Sequence, residues 1–138
     1  MEVTYDGRCF GCGRHNPDGL QMSFERVGEE SVCELEVAER FQSWQGLVHG
    51  GVIALMLDEA VGWAGWQAGF PGLTGRLEVR YRQPLRPGER VRVVGRVERV
   101  RRSLVDASAR VERVADGARI AEASATLITA SAEVVGAS

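Results

Sequence analysis

The chain has no lysine, few aromatic residues and no apolar run long enough to cross a bilayer. All 17 basic residues are arginine, and aromatic side chains make up 7% of the sequence. The longest apolar stretch, residues 50–66, carries two adjacent acidic residues near its middle. A membrane-spanning helix needs about 20 predominantly apolar residues. We therefore expect no transmembrane segment and no membrane partner.

The sequence also lacks a strong net charge, a signal-peptide pattern and an even number of cysteines. A formal net charge of −2 gives no whole-protein attraction for nucleic acid, so we expect no nucleic-acid partner. No apolar segment follows a basic N-terminus, so no signal peptide is predicted. Three cysteines without such a signal argue against a disulfide framework. We expect a protein of the reducing cytoplasm.

The length of the chain suits one globular domain. With 138 residues, of which 44% are hydrophobic, there is room for a single sizeable core. We treat residues 1–138 as one domain, with a loop-rich lead-in over residues 1–19 and a frayed tail over residues 130–138. Internal repeats and low-complexity stretches are absent from the sequence.

Residues 50–66 form the element around which the rest is arranged. Their side chains are apolar on nearly every helical face, which predicts a buried helix. Asp58 and Glu59 are its only ionisable residues. A buried carboxylate costs several kcal/mol unless it is paired or used. We interpret Asp58 as a functional group, with an ion pair to a strand arginine as the alternative, and Glu59 as a structural ion-pair partner.

Alternating apolar and polar residues predict β-strands on both sides of this helix. Residues 20–24 and 31–37 alternate around a glycine turn and predict a first hairpin. Four further alternating segments, within residues 77–82, 91–98, 105–111 and 120–128, predict an antiparallel meander. A sheet with one apolar face buries a helix by curling around it. The predicted class is α+β, with about six strands wrapped around one long helix.

A Cys-x-x-Cys pair lies in the lead-in. The spacing of Cys9 and Cys12 is that of one half of a zinc site, and His15 and Cys33 are the further ligands on offer. We interpret the pair as structural thiols, with a zinc half-site and a redox pair as alternatives. We predict no metal site and no cofactor.

The order of elements and several motifs resemble a known family. Gly-x-x-His-Gly-Gly opens the helix at residues 46–51, and Asp58 follows His49 by nine positions. Together with the Cys-Phe-Gly-Cys-Gly segment and the run from Thr74 to Leu85, this pattern resembles the hotdog-fold acyl-CoA thioesterases, especially the PaaI-like group. The likeness spans roughly residues 9–128.

The resemblance implies hydrolysis of an acyl-CoA thioester to a free acid and CoA. It assigns Asp58 the role of nucleophile or general base, and Thr74 the positioning of the water or the carboxylate. His49 would orient the thioester. Gly50 and Gly51 lie where a helix N-terminus presents unpaired N–H groups, which would polarise the thioester carbonyl.

Two further segments are candidate substrate-binding positions. Relatives often carry asparagine where this chain has Ser43, and Gln45 is the candidate substitute. Arg101, Arg102 and Ser103 lie where relatives bind the phosphates of CoA, with an ordinary solvated hairpin as the alternative. Ten arginines against three glutamates between residues 76 and 102 would also attract a phosphate-bearing ligand.

The helix geometry predicts a site shared between subunits. His49 and Asp58 lie about 13 Å apart along the helix axis, too far for one thioester to touch both within one chain. Antiparallel helices in a two-fold dimer would bring them together. We predict a homodimer at minimum, with a homotetramer as the larger alternative. A non-catalytic acyl-CoA sensor and a hotdog-fold hydratase are the competing functions.

Overall fold

One long helix packs against a six-stranded antiparallel sheet in the computed structural model, which describes residues 1–135. Helix α1 spans Gly50–Gln67, and a short 3₁₀ helix spans Glu39–Phe41. The strands are β1 Glu2–Tyr5, β2 Glu25–Val27, β3 Glu30–Glu36, β4 Gly72–Tyr81, β5 Arg90–Arg101, β6 Leu104–Arg113, β7 Arg119–Thr129 and β8 Ser131–Val134. The predicted α+β hotdog class is confirmed.

The order of strands corrects the predicted meander. The main sheet runs β2-β3-β5-β6-β7-β4, so β5, β6 and β7 form hairpins as expected, whereas β4 pairs with β7. The connection over residues 82–89 contains Pro84 and Pro87 and inserts Leu85 into the core, 1% exposed. This connection is not a tight hairpin turn. It carries the chain from β4, at one edge of the sheet, past β7 and β6 to β5 in its interior.

The first predicted strand is also corrected. Residues 20–24 have the expected alternating burial, with Met22 and Phe24 buried, but they do not form a strand. Their backbone bonds instead to the lead-in, where the N–H of Leu20 donates to the carbonyl of Phe10 at 2.9 Å. Residues 25–27 form the short β2 that pairs with β3.

The predicted frayed tail is ordered over part of its length. Residues 131–134 form β8, which pairs in parallel with β1 at the other end of the chain. The lead-in therefore contains a strand, and the two chain ends hold each other by backbone hydrogen bonds that no local pattern reveals. Residues 136–138 lie outside the described residues. Over residues 1–135, no helix has both the length and the apolar character required to cross a membrane.

Helix α1 is buried on one face only, which corrects the expectation of a fully buried helix. Its inner face packs on the sheet through residues such as Met56, Leu57 and Val61, each fully buried. The approach is close at β5, where a Cβ on Gly95 would lie 2.1 Å from the carbonyl oxygen of Ala60. Gly51, Leu55, Asp58 and Gly62, spaced at helical intervals, lie on the other, partly open face.

Candidate active site

Asp58 and Thr74 meet where the open face of α1 runs beside β4. The Thr74 hydroxyl donates a hydrogen bond to Oδ1 of Asp58 at 2.6 Å. A β-bulge lies between Thr74 and Arg76, and bulges re-aim strand side chains. The two residues line an open groove of about 440 Å³ with Ala54, Leu55, Gly75, Arg76 and Leu77.

The start of α1 forms a second polar group. His49 is the N-cap, and its Nδ1 accepts a hydrogen bond from the Gly51 N–H at 2.8 Å. An accepting Nδ1 carries no proton, so the proton of the neutral ring is on Nε2. The Tyr81 hydroxyl donates to the carbonyl of Gly50 at 2.7 Å, which ties β4 to the first turn of the helix.

The two glycines at the helix start have different surroundings. The N–H of Gly51 is occupied by His49, whereas the N–H of Gly50 has no hydrogen-bond partner within residues 1–135. A Cβ on Gly50 would lie 3.5 Å from the Tyr81 hydroxyl, an ordinary contact. The Gly50 amide is thus a donor with the positive end of the helix dipole behind it.

Of the two predicted loop residues, one reaches this region. Ser43 lines a groove of about 330 Å³ together with Gly50, Ile53 and Tyr81. The N–H of Ser43 donates to the carbonyl of Leu47 at 2.9 Å, which folds the loop back towards the helix. Gln45 is exposed on the same loop and does not line the groove.

The two polar groups are separate within one chain. The groove at Asp58 and the groove at Gly50 have no lining residue in common over the described part of the chain. The helix rise puts His49 and Asp58 about 13 Å apart along the axis. Each chain therefore carries one half of the predicted constellation at the start of the open helix face and the other half, at Asp58, near its middle.

The predicted phosphate-binding turn joins β5 to β6. Arg101 is engaged by Asp106, with Nε–Oδ2 and Nη2–Oδ1 distances of 3.0 and 2.8 Å, and this pairing holds the pKa of Asp106 below its usual range. Arg102 adopts a φ of 55° at the turn and is exposed. The carbonyl of Ser103 accepts from the N–H of Thr129 at 2.9 Å.

Two contacts were missed at the sequence level. Tyr81 was interpreted only as a strand residue, although its place at the end of β4 brings it to the helix start. Glu59 does not form the expected ion pair. Its Oε1 is instead hydrogen bonded to Sγ of Cys9 at 3.1 Å, and burial, followed by the sharing of a proton with the Cys9 sulfur, raises the pKa of Glu59 to about 8.

Comparison with known proteins identifies the family. The sequence model of the thioesterase superfamily matches residues 45–120, more than half of the chain. The chain belongs to the thioesterase superfamily. The matched span contains His49, Gly50, Asp58, Thr74 and the turn at Arg102. This membership confirms the family resemblance found in the sequence.

Individual members of the thioesterase superfamily resemble the chain over most of its length. Mouse (Mus musculus) acyl-coenzyme A thioesterase 13 is 26% identical over 96 residues, which cover 68% of this chain and 69% of the mouse protein. Zebra fish thioesterase superfamily member 2 superposes with a TM-score of 0.76 at 23% identity, covering 86% and 89% of the two chains. A hypothetical thioesterase from Streptococcus pneumoniae, crystallised with coenzyme A, gives 0.74 at 16% identity over 81% and 88%.

Proposed function

We propose that this protein hydrolyses an acyl-CoA thioester to a free acid and CoA. Membership of the thioesterase superfamily and the similarity to a mouse acyl-CoA thioesterase support this class of reaction. The observation that carries the residue assignment is the 2.6 Å hydrogen bond from Thr74 to Asp58, in a groove open to solvent.

Asp58 supplies the carboxylate that attacks the thioester or activates water. The Thr74 hydroxyl occupies Oδ1 and so fixes the plane of the carboxyl group, which leaves Oδ2 for the reacting water or carbonyl carbon. Two mutants of the Streptococcus pneumoniae thioesterase have been crystallised, one with an aspartate and the other with a threonine replaced by alanine. Those two positions are sixteen apart in sequence, as Asp58 and Thr74 are in this chain. The equal spacing supports the same pairing here.

The start of α1 binds the thioester carbonyl. Gly50 lines the groove and its N–H has no partner within residues 1–135, and one such donor to a developing oxyanion is worth about 3–4 kcal/mol. His49 orients the thioester with its Nε2–H, because its Nδ1 is held by the Gly51 amide. Gly51 thus contributes by holding the His49 ring in place, and Ser43 lines the wall of the groove.

The complete site forms between two subunits. Each chain holds the Gly50 half at the start of the open face of α1 and the Asp58 half about two turns further along, so antiparallel packing of two such faces joins the halves twice. Edge strand β4 and its neighbour β7 also leave large apolar side chains exposed, 41% for Leu73 and 46% for Ile128. We propose a homodimer as the active unit, with a homotetramer as a larger assembly of the same dimers.

The turn between β5 and β6 contacts the phosphates of CoA. Arg102 is the exposed cation at its tip, whereas Arg101 is already held by Asp106. Ser103 shapes the turn through its backbone contact with β7. The protein acts in the cytoplasm, a compartment that fits its three free cysteines.

The deciding experiment measures free thiol release from a panel of acyl-CoA thioesters whose acyl groups differ in chain length and polarity. The wild type and Asp58→Asn are assayed in parallel. Turnover by the wild type that is lost in Asp58→Asn supports the proposal. Binding of acyl-CoA without thiol release would indicate a sensor. A change in the absorbance of an enoyl-CoA without thiol release would indicate a hydratase.

A further inference from the structure

The lead-in folds onto helix α1 at Glu59, beside the residue assigned to catalysis. The Sγ atoms of Cys9 and Cys12 and a carboxylate oxygen of Glu59 all lie within 4.8 Å of one another. The three residues are half-buried. Cys9 and Glu59 are 50 positions apart in sequence, so the fold alone brings these donor atoms together.

The backbone of residues 9–13 is shaped to hold both thiols on one side. The Gly11 N–H donates to Sγ of Cys9 at 3.4 Å, and the Gly13 N–H donates to the carbonyl of Cys9 at 2.8 Å. A Cβ on Gly13 would lie 2.4 Å from the nitrogen of Cys9, so the turn closes only around glycine.

Gly11 makes room for the carboxyl group itself. A Cβ at this position would lie 2.4 Å from Cδ of Glu59. The absence of a side chain therefore lets the carboxyl group reach the two thiols. Gly11 and Gly13 together thus allow two sulfur atoms and one oxygen atom to converge.

The chemistry of this donor set points to a divalent cation. No cationic side chain pairs with Glu59 over residues 1–135, and two thiols and a carboxyl group this close can all be ionised only if a positive charge offsets their mutual repulsion. Two sulfur ligands with one carboxylate suit Zn²⁺. We propose that Cys9, Cys12 and Glu59 bind one Zn²⁺ per chain, with water in the fourth position.

The local geometry accommodates such an ion. Zinc bonds of about 2.3 Å to sulfur and 2.0–2.2 Å to oxygen place tetrahedral ligand atoms about 3.3–3.8 Å apart. This spacing lies between the 3.1 Å contact of Cys9 with Glu59 and the 4.8 Å within which all three donor atoms lie. A cavity of about 540 Å³ lined by Cys12, Tyr5 and Trp63 borders the cluster and offers room for the water ligand. His15 lines the same cavity but is not one of the converging donors, and Cys33 lies in the core at 3% exposure.

Binding exchanges protons for the ion and changes no oxidation state. The two S–H bonds are replaced by two Zn–S bonds, and the thiol protons, together with the proton of Glu59 where that carboxyl group carries one, pass to the buffer. The ion fastens the lead-in to α1 at the residue after Asp58. Its role is structural and is independent of thioester hydrolysis.

The test titrates reduced, metal-free protein with Co²⁺ and with Zn²⁺. We expect one Co²⁺ per chain, with the absorption of a thiolate-bound tetrahedral ion, and displacement by Zn²⁺. Zn²⁺ at about a hundred times its Kd should raise Tm by about 5 °C or more. Glu59→Gln should weaken Zn²⁺ binding about tenfold or more, and Cys9→Ser and Cys12→Ser should abolish the thiolate band.

Cys33→Ala is the matched control, because it removes the third cysteine without touching the cluster, and it should retain full binding. The proposal fails if the wild-type protein binds no stoichiometric metal, if Cys9→Ser binds as the wild type does, or if the two thiols join in a disulfide in the presence of reductant. The wild-type titration decides the question even if a variant does not fold.

Discussion

Thr74 on β4 donates a 2.6 Å hydrogen bond to Asp58 on α1. This contact joins the edge strand of the sheet to the open face of the helix. It orients a carboxyl group that is neither buried in the core nor paired with an arginine over residues 1–135. A structural carboxylate has no need of this arrangement, whereas a reacting carboxylate needs both a fixed plane and access to substrate.

Replacing Asp58 by asparagine should abolish turnover while leaving the fold intact. The amide oxygen still accepts the hydrogen bond from Thr74, but the amide neither attacks a carbonyl nor takes a proton. We expect kcat to fall by about 10²–10⁴, the usual contribution of a general base. Thiol release and a thermal melt measure the two effects. A kcat within tenfold of the wild type would remove Asp58 from the mechanism.

Replacing Thr74 by valine separates the hydroxyl from the packing of its side chain. Valine keeps the branched shape and loses the hydroxyl that orients the Asp58 carboxyl group, and because this hydrogen bond is exposed to solvent its loss costs little stability. We expect kcat to fall about tenfold to a hundredfold in Thr74→Val, with Tm nearly unchanged. Thr74→Ser keeps the hydroxyl and should retain most activity. Equal rates for the two variants would show that the hydroxyl has no role.

Replacing Gly50 by alanine should affect activity and not stability. The new methyl group has ordinary contacts with Tyr81, and alanine is favoured over glycine in a helix by about 0.5–1 kcal/mol. The same methyl group lies where the thioester approaches the amide, and a displacement of about 1 Å costs about a hundredfold in rate. Thiol release should fall by that factor while Tm stays constant or rises. Unchanged activity would exclude this amide as the oxyanion donor.

The two arginines of the β5–β6 turn should behave differently. Arg102→Ala should raise KM for acyl-CoA several-fold with little change in kcat, and the difference from wild type should shrink as salt is added. Arg101→Ala should have a smaller effect on KM, since Asp106 already engages that side chain. Arg26→Ala, on the distant β2 hairpin, is the control. A KM that responds equally to all three changes would exclude a specific phosphate contact.

Local patterns were sufficient for the central helix and the long strands, but not for the order in which the strands lie side by side. The apolar run with its flanking turn residues predicted α1 to within a few positions, and period-two alternation predicted β5, β6 and β7. Alternation records which side chains face the core, and it does not record which strand lies alongside. That is why β4 was placed next to β5 and why the pairing of β1 with β8 was missed.

In the candidate site, too, the sequence predicted some residues but not the contacts that depend on the overall fold. The motif spacing of the resemblance anticipated that Asp58 and Thr74 act together, and the structure brings them into contact. The bond from Tyr81 to Gly50 and the contact of Cys9 with Glu59 join residues 31 and 50 positions apart. Such contacts depend on how the sheet curls and where the lead-in docks, which a single sequence does not record.

Mixing two inactive variants tests the central claim of a site shared between subunits most directly. The Gly50→Ala and Asp58→Asn proteins are mixed at equal concentrations so that their subunits exchange. Thiol release by the mixture is then compared with that of each variant alone. Half of the dimers then pair one variant with the other, and each of these holds one intact site and one doubly altered site. We predict recovery of about a quarter of wild-type activity. A mixture no more active than the mean of its two parents would contradict the shared site.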